Sequence, residues 1–590
     1  MRPRTRILIL FAILLVAAAV RLVGLRFGLP FAYARPDETE AAGPAVTYLT
    51  TGSLRPQFFQ WPSLFSYVVA ALYALYGGVF GFLTGHASIA AFIESRYQAF
   101  APFLLIPRAF SATMGVVTVA AVYTLARRVF NEVTGLTAAW LLAIAFLHVR
   151  DSHFGMSDVT MTALVVLSTL ATVAWSERGG VGRALLAGLL VGLAGSTKYN
   201  GLAAGAPMAI ALLLHLRDGR GIRPTLTAAI VFGLAVAAGF FGASPYILID
   251  WSRFLTDVGS VQTTLATGHG GMQISRGWWY FGSVVLPAGL GWPVFIASVA
   301  GIAGLLVTRW RASVVLLAFP LAYYAYAGQS YSVFARYILP VVPYLCITAA
   351  WLVVALVGAL VERSVPESAR RAATSTVRAG NAPAFVSRSH GFTLATAALL
   401  VSAPGAWSVF QLDRLLSVTD NRVVSAHALA TVLPADDLIY QSGSSYGRVP
   451  LGLNGGRFRT ARGDVRCGCW HLLPGRTGVG ARATLAAPHV QPRTRFADAH
   501  PRRPLHARLD LPGRGLNVTN NVTVAHLRPA GRLLSAARGV QRSTTSGPGV
   551  RALPSPLTIA SRAIVRPRFA PRVELLTEPT GALTGCCSVC

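Results

Sequence analysis

Three carboxylates lie within four residues of each other, in the stretch Arg35-Pro36-Asp37-Glu38-Thr39-Glu40. This stretch follows the first long apolar segment of a chain that has only 22 acidic residues among 590. Carboxylates beside a lipid bilayer are costly to keep ionised, which favours a functional interpretation such as removal of a proton from a hydroxyl group. The alternative is structural: Asp37 caps a short helix, and Glu38 and Glu40 stabilise its first turn through the helix dipole.

Further polar side chains fall in segments that the hydropathy pattern places on the same side of a membrane. They are His153, Asp158, Lys198, Tyr199, Asp250 and Arg336. Lys198 is the only lysine in the chain, and an ammonium group at the end of a span suits a lipid phosphate. A carboxylate that abstracts a proton, together with cations that bind a phosphate, is expected for transfer from a phosphorylated donor at a membrane face.

Several of these residues also have a structural interpretation. His153 fits a buried, hydrogen-bonded histidine, and Asp158 fits a cap for a helix that starts at Val159. Arg336 fits a side chain that extends along an apolar surface towards water. The residues alone leave both interpretations open.

The composition defines the class of protein that must position these side chains. Hydrophobic residues make up 53% of the chain and charged residues 13%, whereas soluble domains carry about 25% charged residues. Repeated apolar segments of roughly 17–25 residues indicate an all-α polytopic membrane protein. The net charge of +30 comes from arginines between these segments and in the C-terminal part, which is a poor fit to nucleic-acid binding. The six cysteines have no zinc-site spacing, so we expect no tightly bound metal or other cofactor and leave metal dependence open.

Hydropathy and charge together predict about eleven transmembrane helices, with the N-terminus in the cytoplasm. Basic residues then cluster at the cytoplasmic ends of the spans, as the positive-inside rule requires. The predicted spans are 7–28, 106–126, 134–148, 159–175, 184–197, 201–216, 225–243, 282–307, 314–327, 337–360 and 391–409.

The segment 63–84 is apolar and long enough to cross a membrane, but a crossing there would place the pair Arg127-Arg128 outside. We therefore predict that this segment lies along the membrane surface. Residues 29–105 then form one outer loop that carries two interfacial helices, at 38–51 and 63–84.

The sequence pattern divides the chain into three parts. Residues 1–410 form the transmembrane domain, with a second long outer loop at 244–281, and residues 411–454 start a small outer soluble region. In residues 455–590 hydrophobic periodicity disappears and arginine, proline and glycine are frequent, so we expect a disordered tail. The abrupt shift in composition also suggests an out-of-frame translation of a GC-rich gene.

Several motifs, taken in order, resemble a superfamily of membrane enzymes, the dolichyl-phosphate-mannose protein O-mannosyltransferases (glycosyltransferase family 39) and their bacterial relatives. The resemblance extends over about residues 1–450 and rests on Pro36-Asp37-Glu38, Gln60-Trp61-Pro62-Ser63-Leu64, Pro107-Arg108-Ala109-Phe110-Ser111-Ala112, Ser152-His153, Thr197-Lys198-Tyr199-Asn200-Gly201 and Arg336-Tyr337-Ile338-Leu339-Pro340. It implies the GT-C fold of glycosyltransferases, with a first outer loop that carries two surface helices. It also implies transfer of a sugar from a polyprenyl-phosphate carrier to an acceptor on the outer side, with inversion at the anomeric carbon.

The resemblance implies roles for individual residues. Asp37 resembles the family's catalytic acid and is expected to act as general base for the acceptor hydroxyl, with Glu38 as the second, orienting acid. The candidates for binding the donor phosphate are Arg108, Lys198 and Arg336. His153 departs from the family pattern, because the eukaryotic mannosyltransferases have arginine in the similar stretch.

Together these features predict a glycosyltransferase in a bacterial cell membrane, with its active site on the outer face. A mannose-like hexose is the expected sugar, whereas the acceptor (protein, lipid or glycan) stays open. The alternatives are a polytopic secondary transporter and an inactive membrane protein. The transporter is disfavoured because the ionisable residues lie at one face of the membrane rather than at its midplane.

Overall fold

The computed structural model describes residues 3–31, 33–35, 37–97, 101–268, 276–364, 384–432, 438–441, 449–450, 459–461, 524–527 and 533–534. Its α-helices are Pro3–Leu22 (α1), Glu38–Thr51 (α2), Leu64–Leu83 (α3), Ile89–Tyr97 (α4), Ala101–Val129 (α5), Glu132–Ala143 (α6), Phe146–Ser152 (α7), Ser157–Arg178 (α8), Val181–Thr197 (α9), Ala206–Arg217 (α10), Ile222–Ala243 (α11), Tyr246–Ile249 (α12), Trp251–Thr267 (α13), Gly277–Tyr280 (α14), Leu286–Leu290 (α15), Trp292–Thr308 (α16), Trp310–Ala327 (α17), Val342–Ser364 (α18), Ala384–Leu416 (α19) and Asn421–Val432 (α20). Two 3₁₀-helices, Tyr199–Gly205 and Ala335–Val341, lead into α10 and α18, and a π-helical turn, Phe281–Val285, leads into α15.

The predicted multi-pass membrane architecture is confirmed. Within the described residues, 8 helices are long and apolar enough to cross a membrane, and the number rises to 10 if each of two bent helix pairs counts as one span. Nine of the eleven predicted spans coincide with one of these helices or bent pairs. The other two, 184–197 and 314–327, fall on α9 and α17, which are not among them, and the remaining candidate is α3, which the sequence predicts to lie along the membrane surface. The membrane part of the chain is therefore all-α, as its continuous apolar segments indicate.

Some predicted spans differ in shape from straight helices. The first helix ends at Leu22 rather than at residue 28, because the chain turns at Gly24, whose φ is +75°. The predicted span 134–148 is broken between α6 and α7, whose axes differ by 59°. The predicted span 282–307 bends by 119° at Gly291, whose φ of +83° is open to glycine but strained for other residues.

The first outer loop carries both helices that the sequence predicts there, as α2 and α3. These helices pack on each other and on α4, which the sequence does not predict, through Ala45, Val69, Tyr73 and Phe92. The second outer loop also contains a helix of 17 residues, α13, in which no side chain is fully buried. The position of these helices relative to the membrane surface stays a prediction.

The main hydrophobic core lies between α5, α6, α8 and α18. Its buried residues include Val122, Leu142, Val166 and Ile347. The core holds the 22-residue helix α8 along most of its length, with Asp158 in its first turn and Glu177 in its last. Helix α8 therefore connects two charged regions of the molecule, one around Asp158 and the other around Glu177.

Helices α9 and α11 approach each other through small residues. A Cβ atom at Gly192 would lie 2.3 Å from the carbonyl oxygen of Val236 and 2.9 Å from Gly239 Cα. Small residues allow this close approach between helices in membranes, where packing supplies much of the attraction. This contact between α9 and α11 holds the C-terminal end of α9 in place. The residue that directly follows α9 is Lys198.

The described residues up to Ala428 form one compact unit, and those from Leu429 form a second. The second unit contains four short strands, Leu438–Gln441 (β1), Arg459–Ala461 (β2), Val524–Leu527 (β3) and Leu533–Leu534 (β4), in the order β2-β1-β3-β4. Strand β1 pairs parallel to β2 and antiparallel to β3. The sequence analysis does not predict this sheet; the other residues of the expected tail, 455–590, lie outside the described ranges.

Candidate active site

Asp37 lies at the N-terminal end of α2, in a left-handed backbone conformation that is uncommon for residues other than glycine. Its φ of 70° and ψ of −12° are left-handed, and no other non-glycine residue among those described has a positive φ. Such strain costs roughly 1–3 kcal/mol and is concentrated at functional sites. The Asp37 side chain makes no capping hydrogen bond to α2. Its Oδ2 accepts a hydrogen bond from Arg336 Nη2 at 2.7 Å instead.

Glu38 is buried, with 1% of its surface exposed, and forms a bidentate ion pair with Arg108. Arg108 Nε and Nη2 donate to the two carboxylate oxygens at 2.9 and 2.6 Å, and the Gly155 backbone N–H donates to Oε1 at 2.8 Å. Arg108 is fully buried, and its Nη1 donates to the carbonyl oxygens of Leu25 and Phe27. This pair therefore ties α2 to α5 and to the chain segments that precede α2 and α8.

Lys198 follows α9 and reaches the first turn of α8. Its Nζ donates to Asp158 Oδ1 at 2.5 Å, and the Asp158 side chain is 3% exposed whereas that of Lys198 is 19% exposed. Asp158 Oδ2 is buried and makes no hydrogen bond to the described part of the chain. Because an ammonium group has three N–H donors, Lys198 can bind a second anion while it keeps its contact with Asp158.

The ring of Tyr337 brings these two ion pairs together. Arg336 Cζ lies 5.6 Å from the centroid of this ring, and Lys198 Nζ lies 4.8 Å from the same centroid. We call Asp37, Arg336, Lys198 and Asp158 the charged row. Two cations beside one aromatic ring can bind a phosphate group, and a carboxylate at the end of the row can accept a proton.

A cleft adjoins the charged row, since Ser157 and Thr197 in its wall directly precede Asp158 and Lys198. On the side of α2 the cleft is lined by Glu40 and Tyr48. The Glu40 side chain is exposed, and its carboxylate has no hydrogen-bond partner among the described residues. The remaining wall combines hydroxyl groups and aromatic rings, which include Ser63, Ser66, Phe58, Trp61 and Phe65. This lining suits a ligand with hydroxyl groups and an apolar face.

The chain between α2 and α3, which forms part of the cleft wall, is fastened to the second outer loop. Arg55 Nε and Nη2 donate to the Asp250 carboxylate at 2.8 and 2.6 Å, and this hydrogen bonding raises the pKa of Arg55. The Phe59 backbone N–H donates to Asp257 Oδ2 at 2.7 Å, and Tyr199 Oη donates to the Phe59 carbonyl oxygen at 2.8 Å. Asp250 and Tyr199 are both among the site residues predicted from the sequence. Their contacts keep this part of the cleft wall in position.

His153 is fully buried, as its structural interpretation requires. Its Nδ1 and Nε2 lie 2.9 Å from the carbonyl oxygens of Val149 and Val23, and its Nε2 lies 3.7 Å from Asp413 Oδ1. Burial lowers the pKa of His153, whereas the two carbonyl contacts act in the opposite direction. These contacts join α7 to the end of α1 and to α19, and they use both ring nitrogens.

The structure brings together three of the residues that the sequence analysis identifies as donor-binding or catalytic: Asp37, Lys198 and Arg336. Arg108 is not among them, because its guanidinium group is enclosed with Glu38. Tyr337 enters the sequence analysis only as part of the motif Arg336-Tyr337-Ile338-Leu339-Pro340, with no role of its own. No group of three or more His, Cys, Asp or Glu side chains within the described residues is placed to hold a metal ion.

Comparisons with known proteins agree with this architecture. Residues 105–248 match the model of the dolichyl-phosphate-mannose-protein mannosyltransferase family. The chain is similar to the crystal structure of ArnT from Cupriavidus metallidurans bound to undecaprenyl phosphate, with 15% identity, coverage of 78% of this chain and 86% of that chain, and a TM-score of 0.50. Other matches are archaeal oligosaccharyltransferase AglB from Archaeoglobus fulgidus (14% identity, 72% of this chain and 58% of that chain, TM-score 0.44) and the S. cerevisiae protein O-mannosyltransferase Pmt1-Pmt2 complex (18% identity, 47% and 38%, TM-score 0.32). A search of curated proteins finds no match.

The similarity to ArnT extends over most of both chains and shows the shared GT-C fold. The family model covers the segment from the end of the first outer loop to α12, which includes Arg108, Asp158 and Lys198. The fold and the partial family match agree with the resemblance seen in the sequence motifs. The chain is a multi-pass membrane protein with the fold of GT-C glycosyltransferases.

Proposed function

We propose that this protein transfers a sugar from a polyprenyl-phosphate carrier to an acceptor hydroxyl group, with Asp37 as the general base. The observation that carries the proposal is the charged row, in which two cations lie between two carboxylates beside the cleft. The ArnT structure with the similar fold is bound to a lipid phosphate of this kind, undecaprenyl phosphate. That similarity supports a polyprenyl phosphate as the donor's leaving group.

The proposed reaction is a single displacement at the anomeric carbon of the donor sugar. Asp37 accepts the proton of the acceptor hydroxyl while the hydroxyl oxygen forms a bond to the anomeric carbon. The bond from this carbon to the phosphate oxygen breaks, and its electron pair stays with the departing polyprenyl phosphate. Arg336 and Lys198 stabilise the negative charge that develops on the phosphate. Attack from the face opposite the phosphate inverts the configuration.

The contact between Asp37 and Arg336 is central to this assignment. It holds the base next to one of the two phosphate-binding cations, so that proton removal and phosphate departure take place within one arrangement of side chains. Glu38 and Arg108 are positioning residues in this proposal, because both are buried and saturated by each other and by the backbone. Arg108 is therefore not proposed to bind phosphate.

We propose a mannose-like hexose as the sugar, supported by the description of the matching family. We place the active site on the outer face of a bacterial cell membrane and the N-terminus inside. The support for this orientation is the positive-inside rule, since arginines cluster at the helix ends opposite the charged row. They include Arg128, Arg178, Arg217, Arg220 and Arg311. The acceptor is a hydroxyl compound that fits the cleft.

The proposal is tested with purified protein, a panel of polyprenyl-phosphate donors with radiolabelled sugars, and membrane and cell-wall fractions as acceptors. We expect label to move from one donor, and the anomeric configuration of the product, determined with anomer-specific glycosidases, to be opposite to that of the donor. A product with retained configuration would contradict the single displacement. Absence of transfer from every donor by folded protein would contradict the proposed reaction itself.

A further inference from the structure

A second cavity, of about 300 Å³, lies at the end of α8 that is remote from Asp158. It is lined by the last turns of α5, α8 and α10 and by the first turns of α17. Helix α8 has 22 residues, so its two ends are roughly 30 Å apart, which is close to the thickness of a bilayer's hydrocarbon core. The cavity is therefore separate from the charged row, and the proposed reaction does not use it.

The rim of this cavity carries three arginines and two carboxylates. Arg128 Nε and Nη2 donate to Glu177 Oε2 at 3.0 and 2.8 Å, Arg311 lies 3.2 Å from Asp218, and Arg220 donates to a backbone carbonyl oxygen of α8 at 3.1 Å. One positive charge on the rim is thus not balanced by an acid of the rim. Because these ion pairs are partly exposed, they contribute little stability, and their arginines can bind another anion.

The inner wall of the cavity is apolar and faces the membrane-spanning parts of the helices. Its residues are Val173, Ala211, Leu214 and Val315. Beside the rim, the Trp310 ring lies 5.2 Å from Arg217 Cζ and 5.5 Å from Arg311 Cζ. Tryptophan in this position is typical of the boundary between hydrocarbon and water. The cavity therefore has a cationic end at the membrane surface and an apolar end towards the bilayer.

We propose that this cavity binds one anionic phospholipid of the surrounding bilayer. Its phosphate contacts Arg220 and Arg311, and an acyl chain lies along the apolar wall. A soluble phosphate would use the rim but not the wall, whereas a zwitterionic lipid would use the wall but not the excess positive charge. Basic pockets between membrane helices bind acidic headgroups through this combination of contacts.

The test uses full-length, delipidated protein in detergent, titrated with phosphatidylglycerol and monitored by native mass spectrometry. The test variant carries Arg220→Gln and Arg311→Gln. The control carries Arg223→Gln and Arg309→Gln, which remove the same charge from the neighbouring connections at exposed positions outside the cavity lining. We expect the test variant to bind phosphatidylglycerol about thirtyfold more weakly than the unchanged protein. We expect the control to bind it as well as the unchanged protein does.

Competition experiments identify the ligand's chemical class. We expect phosphatidylcholine to bind weakly and millimolar inorganic phosphate not to displace phosphatidylglycerol. Displacement by inorganic phosphate alone would overturn the proposal in favour of a soluble anion.

Equal weakening in both double variants would overturn it in favour of a general attraction to the basic surface. If the test double variant does not fold, it is replaced by the single change Arg311→Gln, at a side chain that is 57% exposed. Retained binding of phosphatidylglycerol by that folded variant would equally contradict the proposal.

Discussion

Asp37 and Glu38 are neighbours in the chain but have opposite environments. The left-handed conformation of Asp37 turns its side chain towards Arg336, while Glu38 is directed into the protein against Arg108. The sequence identifies two acids at the edge of a membrane, yet it does not assign them to different partners. The distinction depends on Arg336 and Arg108, which lie 299 and 70 residues away in the chain.

The Glu38–Arg108 pair should be important for folding. In Glu38→Gln the Arg108 guanidinium stays buried without a counter-charge, and loss of one partner of a buried ion pair costs about 3–5 kcal/mol. We expect a clearly lower melting temperature in detergent, or loss of folded protein. The control Arg55→Gln breaks the more exposed pair with Asp250 and should change the melting temperature little. An unchanged melting temperature in Glu38→Gln would contradict the structural role.

Arg336 should act mainly on the chemical step. Replacement by glutamine removes one of the two cations proposed to stabilise the departing phosphate, and loss of one such group lowers kcat by about 10²–10³-fold. Arg336→Lys should recover part of the rate, because it keeps the charge but not the planar, forked geometry. Arg276→Gln, at an exposed arginine that contacts Tyr331, serves as the control. Equal rates for Arg336→Gln and this control would refute the assignment.

At the level of helices, hydropathy predicts where the chain crosses the membrane but not where a helix breaks. The segments 134–148 and 282–307 have continuous apolar character, and both contain sharp bends. The bend at Gly291 lies between Pro287 and Pro293. Prolines on both sides of a glycine favour a break in a helix, but a prediction from hydropathy alone does not use this signal.

The contact between α9 and α11 should depend on Gly192. A Cβ atom there would lie 2.3 Å from a backbone oxygen, so Gly192→Ala must push the helices apart, and overpacking of this kind costs about 1–3 kcal/mol. Gly182→Ala, in the same helix but with no atom within 4 Å of the added Cβ, is the matched control. We expect thermal unfolding to occur at a lower temperature for Gly192→Ala than for Gly182→Ala. The reverse order would show that α9 and α11 are packed differently.

For the molecule as a whole, the fold class follows from the sequence with few assumptions. Long apolar segments and the placement of arginines predict a multi-pass helical protein, and the order of short motifs indicates the GT-C class. The site is predicted less completely, because its contacts join distant parts of the chain. Asp37, Lys198 and Arg336 are recognisable individually, but the sequence does not show that the ring of Tyr337 lies beside both Lys198 and Arg336.

A contact between distant parts of the chain also determines the environment of Arg108, which the sequence analysis proposes as a phosphate ligand and the structure pairs with Glu38. An arginine near the end of a span resembles a phosphate ligand in sequence, whereas its burial depends on the return of Glu38 from the first outer loop. Only the packed structure shows that its N–H groups are already used. The cationic cavity at the far end of α8 is also not predictable from the sequence, because its arginines come from three separate parts of the chain, α5, the α10–α11 connection and α17.

The most direct measurement compares wild type with Asp37→Asn in a single-turnover assay, with bound donor and transferred sugar quantified in the same samples. The amide keeps the size of the side chain but cannot accept the proton, so we expect donor binding to persist while transfer falls by at least about 10²-fold. Glu94→Gln, an exposed acid of the same outer loop, should behave as wild type. Transfer by Asp37→Asn at the wild-type rate would contradict the account, because the central carboxylate of the proposed site would then have no catalytic role.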